Sequence, residues 1–347
     1  MKTQYLYPLL ILFFIPLITK GQTKVDELIL KNGDVIHGEF TKLQRNYVFI
    51  DADYGDADFK IEWDEIESIF SERTYNIYLK GGDRVVGSFK TDPNDSTAVI
   101  ITPFYGGQPY SKKLREMVSI KTVDTKFIDR FTVGLSLGYT FTKAKNVQQF
   151  TGQANARYAT DNWALGGNVK SVQNSQDSVA DTHRTDGAIN WAWTFYKSWF
   201  AGVGMSFLSN DEQNLKLRTS TSARIGNYIA RSHKLDWLVS AGMAWTNEHY
   251  INTETSNATS NSAEAVVSTQ LSIFGIDDFT LNTNLDTYAN LNTAGRYRVD
   301  FTVDLTWDLP KGFLFKIGNT TNYDSKPVSP GVSEVDYVFY TTFGWEL

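Results

Sequence analysis

The chain has 347 residues, a formal charge of −6 and no cysteine. That length accommodates two domains after a leader, the mild acidity without a basic patch excludes nucleic acid as a partner, and folding must rest on β pairing and burial rather than disulfides. Beyond the first residues no run reaches the ~18 apolar residues of a membrane-spanning helix, so any crossing of a bilayer must be made by strands.

Residues 1–21 read as a secretory signal peptide. Lys2 supplies the positive start, Leu6 to Ile18 is apolar apart from Tyr7, Pro8 and Pro16, and Thr19-Lys20-Gly21-Gln22 offers a cleavage region after Gly21. The run is too short and too proline-broken to serve comfortably as an anchor. No cysteine follows it, which excludes a lipid-anchored form. The expectation is an exported chain.

Residues 22–125 read as a periplasmic tandem repeat. The segment Leu28-Ile29-Leu30-Lys31-Asn32-Gly33-Asp34 is matched by Ile77-Tyr78-Leu79-Lys80-Gly81-Gly82-Asp83, about fifty residues later. Gly38 and Phe40 return as Gly87 and Phe89. Each copy begins with an alternating strand, turns on residues that tolerate positive φ, and returns through a glycine that marks a bulge or bend. A related tail closes each copy, Lys60 to Ile69 and Lys113 to Ile120. Two small, strongly bent β-units of SH3-like or Sm-like size are predicted. The acidic cluster Asp51, Asp53, Asp56 and Asp58 is a weak calcium candidate, since carboxylates suit that cation. It lacks the spacing and the bidentate glutamate of an EF-hand, and an exposed hairpin loop explains it equally.

Residues 126–347 read as an antiparallel transmembrane β-barrel, which makes the chain all-β. Phe131, Val133, Leu135, Leu137, Tyr139 and Phe141 alternate with Thr132, Gly134, Ser136, Gly138, Thr140 and Thr142. Alternate residues of a strand face opposite sides, so one set is for lipid and the other for the lumen. The pattern continues through Val335, Tyr337, Phe339, Phe343 and Trp345, giving about twelve strands, an even number as such barrels require. Tight connections at Lys197-Ser198, Ala230 to His233 and Pro310-Lys311-Gly312 alternate with longer ones expected at Ser171 to Arg184, Asn247 to Ser262 and Ser325 to Glu334. Proline is missing from Ser111 to Leu309, in keeping with its damage to a strand ladder. Tryptophans such as Trp163, Trp199 and Trp307 fall near strand ends, where an interfacial girdle places them. The alternating aromatic end, Phe343-Gly344-Trp345-Glu346-Leu347, resembles the signal read by the bacterial barrel-assembly machinery.

The opening strand Val133-Gly134-Leu135-Ser136-Leu137-Gly138-Tyr139-Thr140, behind a small β-region and a leader, resembles the salt-induced outer-membrane protein family of Gram-negative bacteria. The resemblance covers mainly residues 131–347. It implies an outer-membrane barrel and, in some members, expression under salt stress; it implies no reaction and transfers no catalytic residue.

Chemistry has little support. The four histidines are His37, His183, His233 and His249. The last three are expected in connections on opposite sides of the membrane, which excludes a shared zinc site. His183 and His249 beside Asp177, Asp181 and Glu248 would be the material of a surface hydrolase, but nothing orders them into a base and its orienter. No enzyme and no cofactor is therefore expected. The lumen is more informative. Arg157, Lys170, Lys216, Arg218, Arg224, Arg296, Arg298 and Lys316 are read as inward, with Asp236, Glu264, Asp286, Asp300 and Asp304. Charges that pair off imply a closed bore, whereas an unpaired basic wall implies a pore. The first expectation is an envelope protein anchored in outer-membrane lipid, whose periplasmic repeat contacts another envelope protein. The alternative is a small-solute or ion channel with the repeat as vestibule or gate.

Overall fold

The computed structural model describes residues 26–55, 58–123, 130–142, 147–160, 162–250, 259–276, 278–327 and 333–346. The signal-peptide reading and the boundary at 125 lie outside these residues.

The repeats form β1 (Asp26–Leu30), β2 (Val35–Gln44), β3 (Tyr47–Asp51), β4 (Phe59–Glu62), β5 (Ile66–Leu79), β6 (Arg84–Asp92), β7 (Asp95–Pro103), β8 (Tyr110–Lys113) and β9 (Met117–Thr122). Short 3-10 turns at Trp63–Glu65 and Leu114–Glu116 precede the last strand of each copy. The copies are not separate units. The first half of β5 ends copy one; it pairs with its own β1 (Leu28↔Ile69) and with β6 of the other copy (Ser71↔Phe89). In copy two, β9 likewise pairs with the second half of β5 (Ile77↔Ile120) and with β2 of the other copy (Leu43↔Ile120). Each copy therefore lends its last strand to the other. A bent unit of some fifty residues would leave sheet edges unpaired, and the exchange covers them while merging two half-cores. Phe40, Tyr75 and Phe89 meet edge to face at the centre, with centroids 5.2–5.7 Å apart. The repeated glycines are required where strands cross closely: a Cβ on Gly38 would lie 2.4 Å from the Asp51 carbonyl oxygen, and one on Gly87 2.3 Å from that of Thr102.

The second part is a closed antiparallel barrel in which each strand pairs with the next. Its strands are β10 (Phe131–Thr142), β11 (Val147–Ala159), β12 (Trp163–Gln176), β13 (Val179–Tyr196), β14 (Trp199–Asn210), β15 (Leu215–Arg231), β16 (Leu235–Tyr250), β17 (Thr259–Ile276), β18 (Phe279–Asn290), β19 (Tyr297–Asp308), β20 (Phe313–Asp324) and β21 (Val335–Glu346). The twelve strands agree with the alternation in the sequence. Leu135, Leu137, Ile189, Val203, Met243, Val267 and Phe339 stand exposed on the outside, an apolar belt that water would not favour. Aromatic contacts Phe131–Tyr158–Trp163 (tilted) and Phe279–Trp307 and Phe313–Phe343 (stacked) lie at one end. Closure of β21 on β10 is brief, from Gly134↔Glu346 to Leu137↔Phe343. Further along this seam the Gln149 side chain donates to the Phe339 carbonyl at 3.0 Å.

Two predicted connections are corrected, the first being Asn247 to Ser262, whose ends belong to β16 (to Tyr250) and β17 (from Thr259). Ser171 to Arg184 was expected to be a long loop, but β12 and β13 run on through it and turn at Asp177-Ser178. Outside the apolar belt both faces of a strand are polar, so the strands outrun the pattern that reveals them.

The repeat domain sits on the end with these aromatic contacts, the near end. Arg45 in the β2–β3 turn lies 3.3 Å from Glu346 and 5.8 Å from the centre of the Phe274 ring. Asp64 pairs with Lys234 in the β15–β16 turn, and Asp83 lies 3.9 Å from Lys197 in the β13–β14 turn. Arg84 Nη1 donates to Asn162 Oδ1 at 2.5 Å.

Candidate functional site

The lumen gathers the chemistry of the barrel. In its far half, away from the repeat domain, charged side chains reach across the bore. Arg296, just ahead of β19, donates from Nη1 to Glu248 Oε2 at 3.0 Å and from Nη2 to Asp324 Oδ2 at 2.6 Å. Arg218 Nε donates to the other oxygen of Glu248 at 2.7 Å. Two guanidinium groups and two carboxylates thus tie β15 and β16 to β19 and β20. Below them Arg298 Nη2 donates to Glu264 Oε2 at 2.5 Å, and Thr246 donates to the same oxygen at 2.7 Å. Arg224 Nη1 donates to Asp286 Oδ1 at 2.7 Å.

On the opposite wall Arg184 of β13 meets Asp336 of β21 at 2.6 Å and also donates to Asn322. Lys170 of β12 donates to Thr320 of β20 at 2.6 Å and lies 4.6 Å from the centre of the Tyr340 ring. Tyr340 in turn donates to Asp304 at 2.5 Å. Arg184 and Lys170 have partners on strands that are not their sheet neighbours, so these bonds span the bore. The cavity beside Arg184 and Asp336 measures 10 Å³, about the space of a single water.

Six cations (Lys170, Arg184, Arg218, Arg224, Arg296, Arg298) therefore share this region with eight carboxylates (Asp186, Glu248, Glu264, Asp286, Asp300, Asp304, Asp324, Asp336). It is a cross-linked block of mixed sign, without a basic wall. The near half differs: Gly134, Asn155, Gly166, Asn168, Asn190, Gly204 and Ser222 face inward, and Asn155, Asn168 and Asn190 are exposed. The near half is thus open along β11 to β13, whereas Ser240, Ser272, Thr280, Thr306 and Thr342 on the other wall are buried.

Among the residues read as lumen-lining, Lys170, Arg218, Arg224, Arg296 and Arg298 join this network. Lys316 reaches Gln153 at 3.4 Å, and Arg157 lies exposed in the near half. Lys216 stands apart from these: the β15 register shifts between Leu215 and Leu217, which turns Leu215 inward and leaves Lys216 exposed. Sequence reasoning missed Arg184 and Glu248, which were assigned to connections, and Asp324 and Asp336, which stand at the far ends of β20 and β21 beside the connection expected at Ser325 to Glu334. Asp51 and Asp53 are exposed, Asp58 accepts a hydrogen bond from Thr41, and Asp56 lies outside the described residues. No cluster suited to a metal is found among the described residues. His183 and His249 lie within β13 and β16, strands that do not pair, rather than in connections.

His233 is the histidine at the junction of the two parts. It is buried, with Nε2 3.8 Å from Asp64 Oδ1, and Lys234 pairs with the same carboxylate. Burial holds the imidazole below its ordinary pKa, against the opposing pull of Asp64. A pKa lower when docked than when free means the docked state favours neutral His233. Its contribution is present above the ordinary imidazole value, about 6.5, and is lost as pH falls through the lower docked value. Docking is expected to loosen on acidification. Spin labels at Asp34→Cys and Gln148→Cys in the full chain should show a broader distance distribution at pH 5 than at pH 7.5, and His233→Gln should flatten the change. An identical distribution at both pH values in the parent would refute the effect.

An all-β chain with a closed twelve-stranded barrel, apolar outside and charged inside, is of the transmembrane-barrel class. The chain belongs to the family described as protein of unknown function, DUF481, whose model matches residues 135–346. No curated protein matches. Among solved structures, the barrel is similar to the NanC porin at 10% identity and a TM-score of 0.39, covering 62% of this chain and 97% of that one. It is also similar to the KdgM porin (10%, TM-score 0.32, covering 62% and 98%). The beta domain of the Bordetella autotransporter Brka is a third (6%, TM-score 0.32, covering 62% and 97%).

Proposed function

We propose that this protein is an outer-membrane anchor: a barrel with a closed bore that holds a duplicated β-domain at its periplasmic mouth for contact with another envelope protein. The observation that carries this reading is the cross-bore network, in which Arg184, Arg296 and Arg298 are nearly inaccessible and paired with acids on other strands. Buried charges satisfied in this way fill a lumen instead of lining a path. The tight β13–β14 and β15–β16 turns lie at the domain end, as periplasmic turns do. The apolar belt supports residence in lipid, and the aromatic final strand β21 is what the assembly machinery would read.

A channel is the second reading, and the exposed inward residues Asn155, Asn168 and Asn190 in the near half favour it. Planar-bilayer recording of the full chain separates the two. Silence is expected from the parent protein, with current steps from an Arg184→Ala, Arg296→Ala, Arg298→Ala variant in which the block is dismantled. Steady conductance from the parent would overturn the closed bore and leave the channel.

A further inference from the structure

The two copies of the repeat carry the same hairpin in two different settings. Ile50 pairs with Phe40 and Phe59, as Ile101 pairs with Phe89 and Tyr110. This register equates Tyr54-Gly55, at the tip of β3–β4, with Tyr105-Gly106, at the tip of β7–β8. Both tyrosines are exposed, 68% and 84%, and Phe104 beside Tyr105 is 65% exposed.

The exchange of strands points the tips in opposite directions. Arg45 touches the barrel, and β3 leads away from it, so that Asp51 stands opposite Glu39. Six residues separate Glu39 from Arg45, which at ~3.3 Å per residue lifts the first tip about 20 Å from the near rim. The second tip is reversed. The β5–β6 hairpin rests on the rim: a Cβ on Gly82 would lie 2.5 Å from the Lys197 carbonyl carbon. β7 runs antiparallel to β6, hence toward the rim, and the Phe104 N–H donates to the Val86 carbonyl at 2.8 Å, two residues from Arg84. Arg84 is bonded to Asn162, and in the sheet β7 and β8 lie outward of β6.

Charge follows the direction. The outward tip carries Asp51, Asp53 and Asp58 among its described residues. The equivalent tip facing the rim, Thr102-Pro103-Phe104-Tyr105-Gly106-Gly107-Gln108-Pro109, carries no charge. Beside Asn162 the barrel presents Phe131, Tyr158, Trp163, Leu165 and Ile189 around an apolar groove of 560 Å³. Uncharged, exposed aromatics at the level of an aromatic girdle suit the interfacial layer of a bilayer.

We infer that the Phe104-Tyr105 hairpin is a membrane finger, inserted in the lipid interface beside the barrel at β11–β12, whereas its twin at Tyr54 stays in water. The inference rests on the barrel residing in a bilayer. It makes the finger a further fastening of the repeat domain, beside the rim contacts of Arg45, Asp64, Asp83 and Arg84.

The absence of cysteine makes the test direct. Environment-sensitive fluorophores are attached at Tyr105→Cys, Gln108→Cys, Tyr54→Cys and the belt position Leu137→Cys of the full chain in phosphatidylcholine vesicles. The labels at 105 and 108 are expected to lose about half or more of their emission to lipids spin-labelled near the headgroup and to resist aqueous iodide. The label at 54 should do the reverse. If 137 is quenched by lipid but 105 and 108 behave as 54, the finger is overturned and the membrane barrel stands. If 137 is not quenched by spin-labelled lipid at any depth, both are overturned.

Discussion

Arg296→Ala is expected to destabilise the barrel by about 3–5 kcal/mol, the cost of removing one partner from a buried ion pair. Arg296 is 3% exposed and bridges Glu248 and Asp324, which come from different strands. Alanine leaves Arg218 alone to face both carboxylates, at 2.7 Å from Glu248 and 3.7 Å from Asp324. The loss comes from stranding negative charge where water is scarce, more than from losing the attraction itself. Removing the charges together should therefore cost much less: Arg296→Met with Glu248→Gln and Asp324→Asn leaves no stranded ion and keeps the volume. Urea unfolding in vesicles, followed by tryptophan emission, measures both. A loss below about 1 kcal/mol for Arg296→Ala would mean a wet, screened bore, since exposed pairs contribute no more than that.

Asp26→Ala should have a comparable effect on the repeat domain, about 3–5 kcal/mol, because an entire polar cluster loses its acceptor. Asp26 is 1% exposed and accepts from the Phe40 N–H at 2.8 Å, Ser71 Oγ at 2.5 Å and Tyr75 Oη at 3.2 Å; Arg73 Nε is 3.6 Å away. Burial, and then the neighbouring Asp26 charge, push the Tyr75 phenol well above its ordinary range, so it remains a donor. These bonds join β1, β2 and β5 where the two copies exchange strands. Amide exchange in the full chain should accelerate across these strands by two to three orders of magnitude, at a factor of ten per ~1.4 kcal/mol. Unchanged protection would show that the aromatic core holds the exchange without the carboxylate. Asp26→Asn retains an acceptor oxygen and should fall between the two.

Much of this molecule was legible in advance. Alternation marked the strands from Phe131 to Trp345 because lipid on one side and a polar bore on the other impose a period of two. The matched Leu-Lys-x-Gly-Asp segments at Lys31 and Lys80 revealed the duplication. The inward placement of Lys170, Arg218, Arg224, Arg296 and Arg298 also followed from alternation. The register that equates Tyr54 with Tyr105 was present as well, in the shared Tyr-Gly and the aromatic five residues later, but it draws notice only once the tips are seen to point apart.

Other features depend on which strands become neighbours. Arg184 and Asp336 are 152 positions apart, and Arg184 lies in a segment read as a connection, where polar residues on both faces erase the period. Their contact depends on barrel closure and stagger. The lending of β5 and β9 between copies is likewise invisible locally, because each strand's own pattern is satisfied by either partner. By itself the sequence determined periodicity, duplication and, wherever a strand runs without a register shift such as that beside Lys216, the side a residue faces, since those are properties of a strand alone. Tertiary structure decided which charges meet across the bore and which of two equivalent hairpins faces the rim, since those are set by distances between segments that no local pattern encodes.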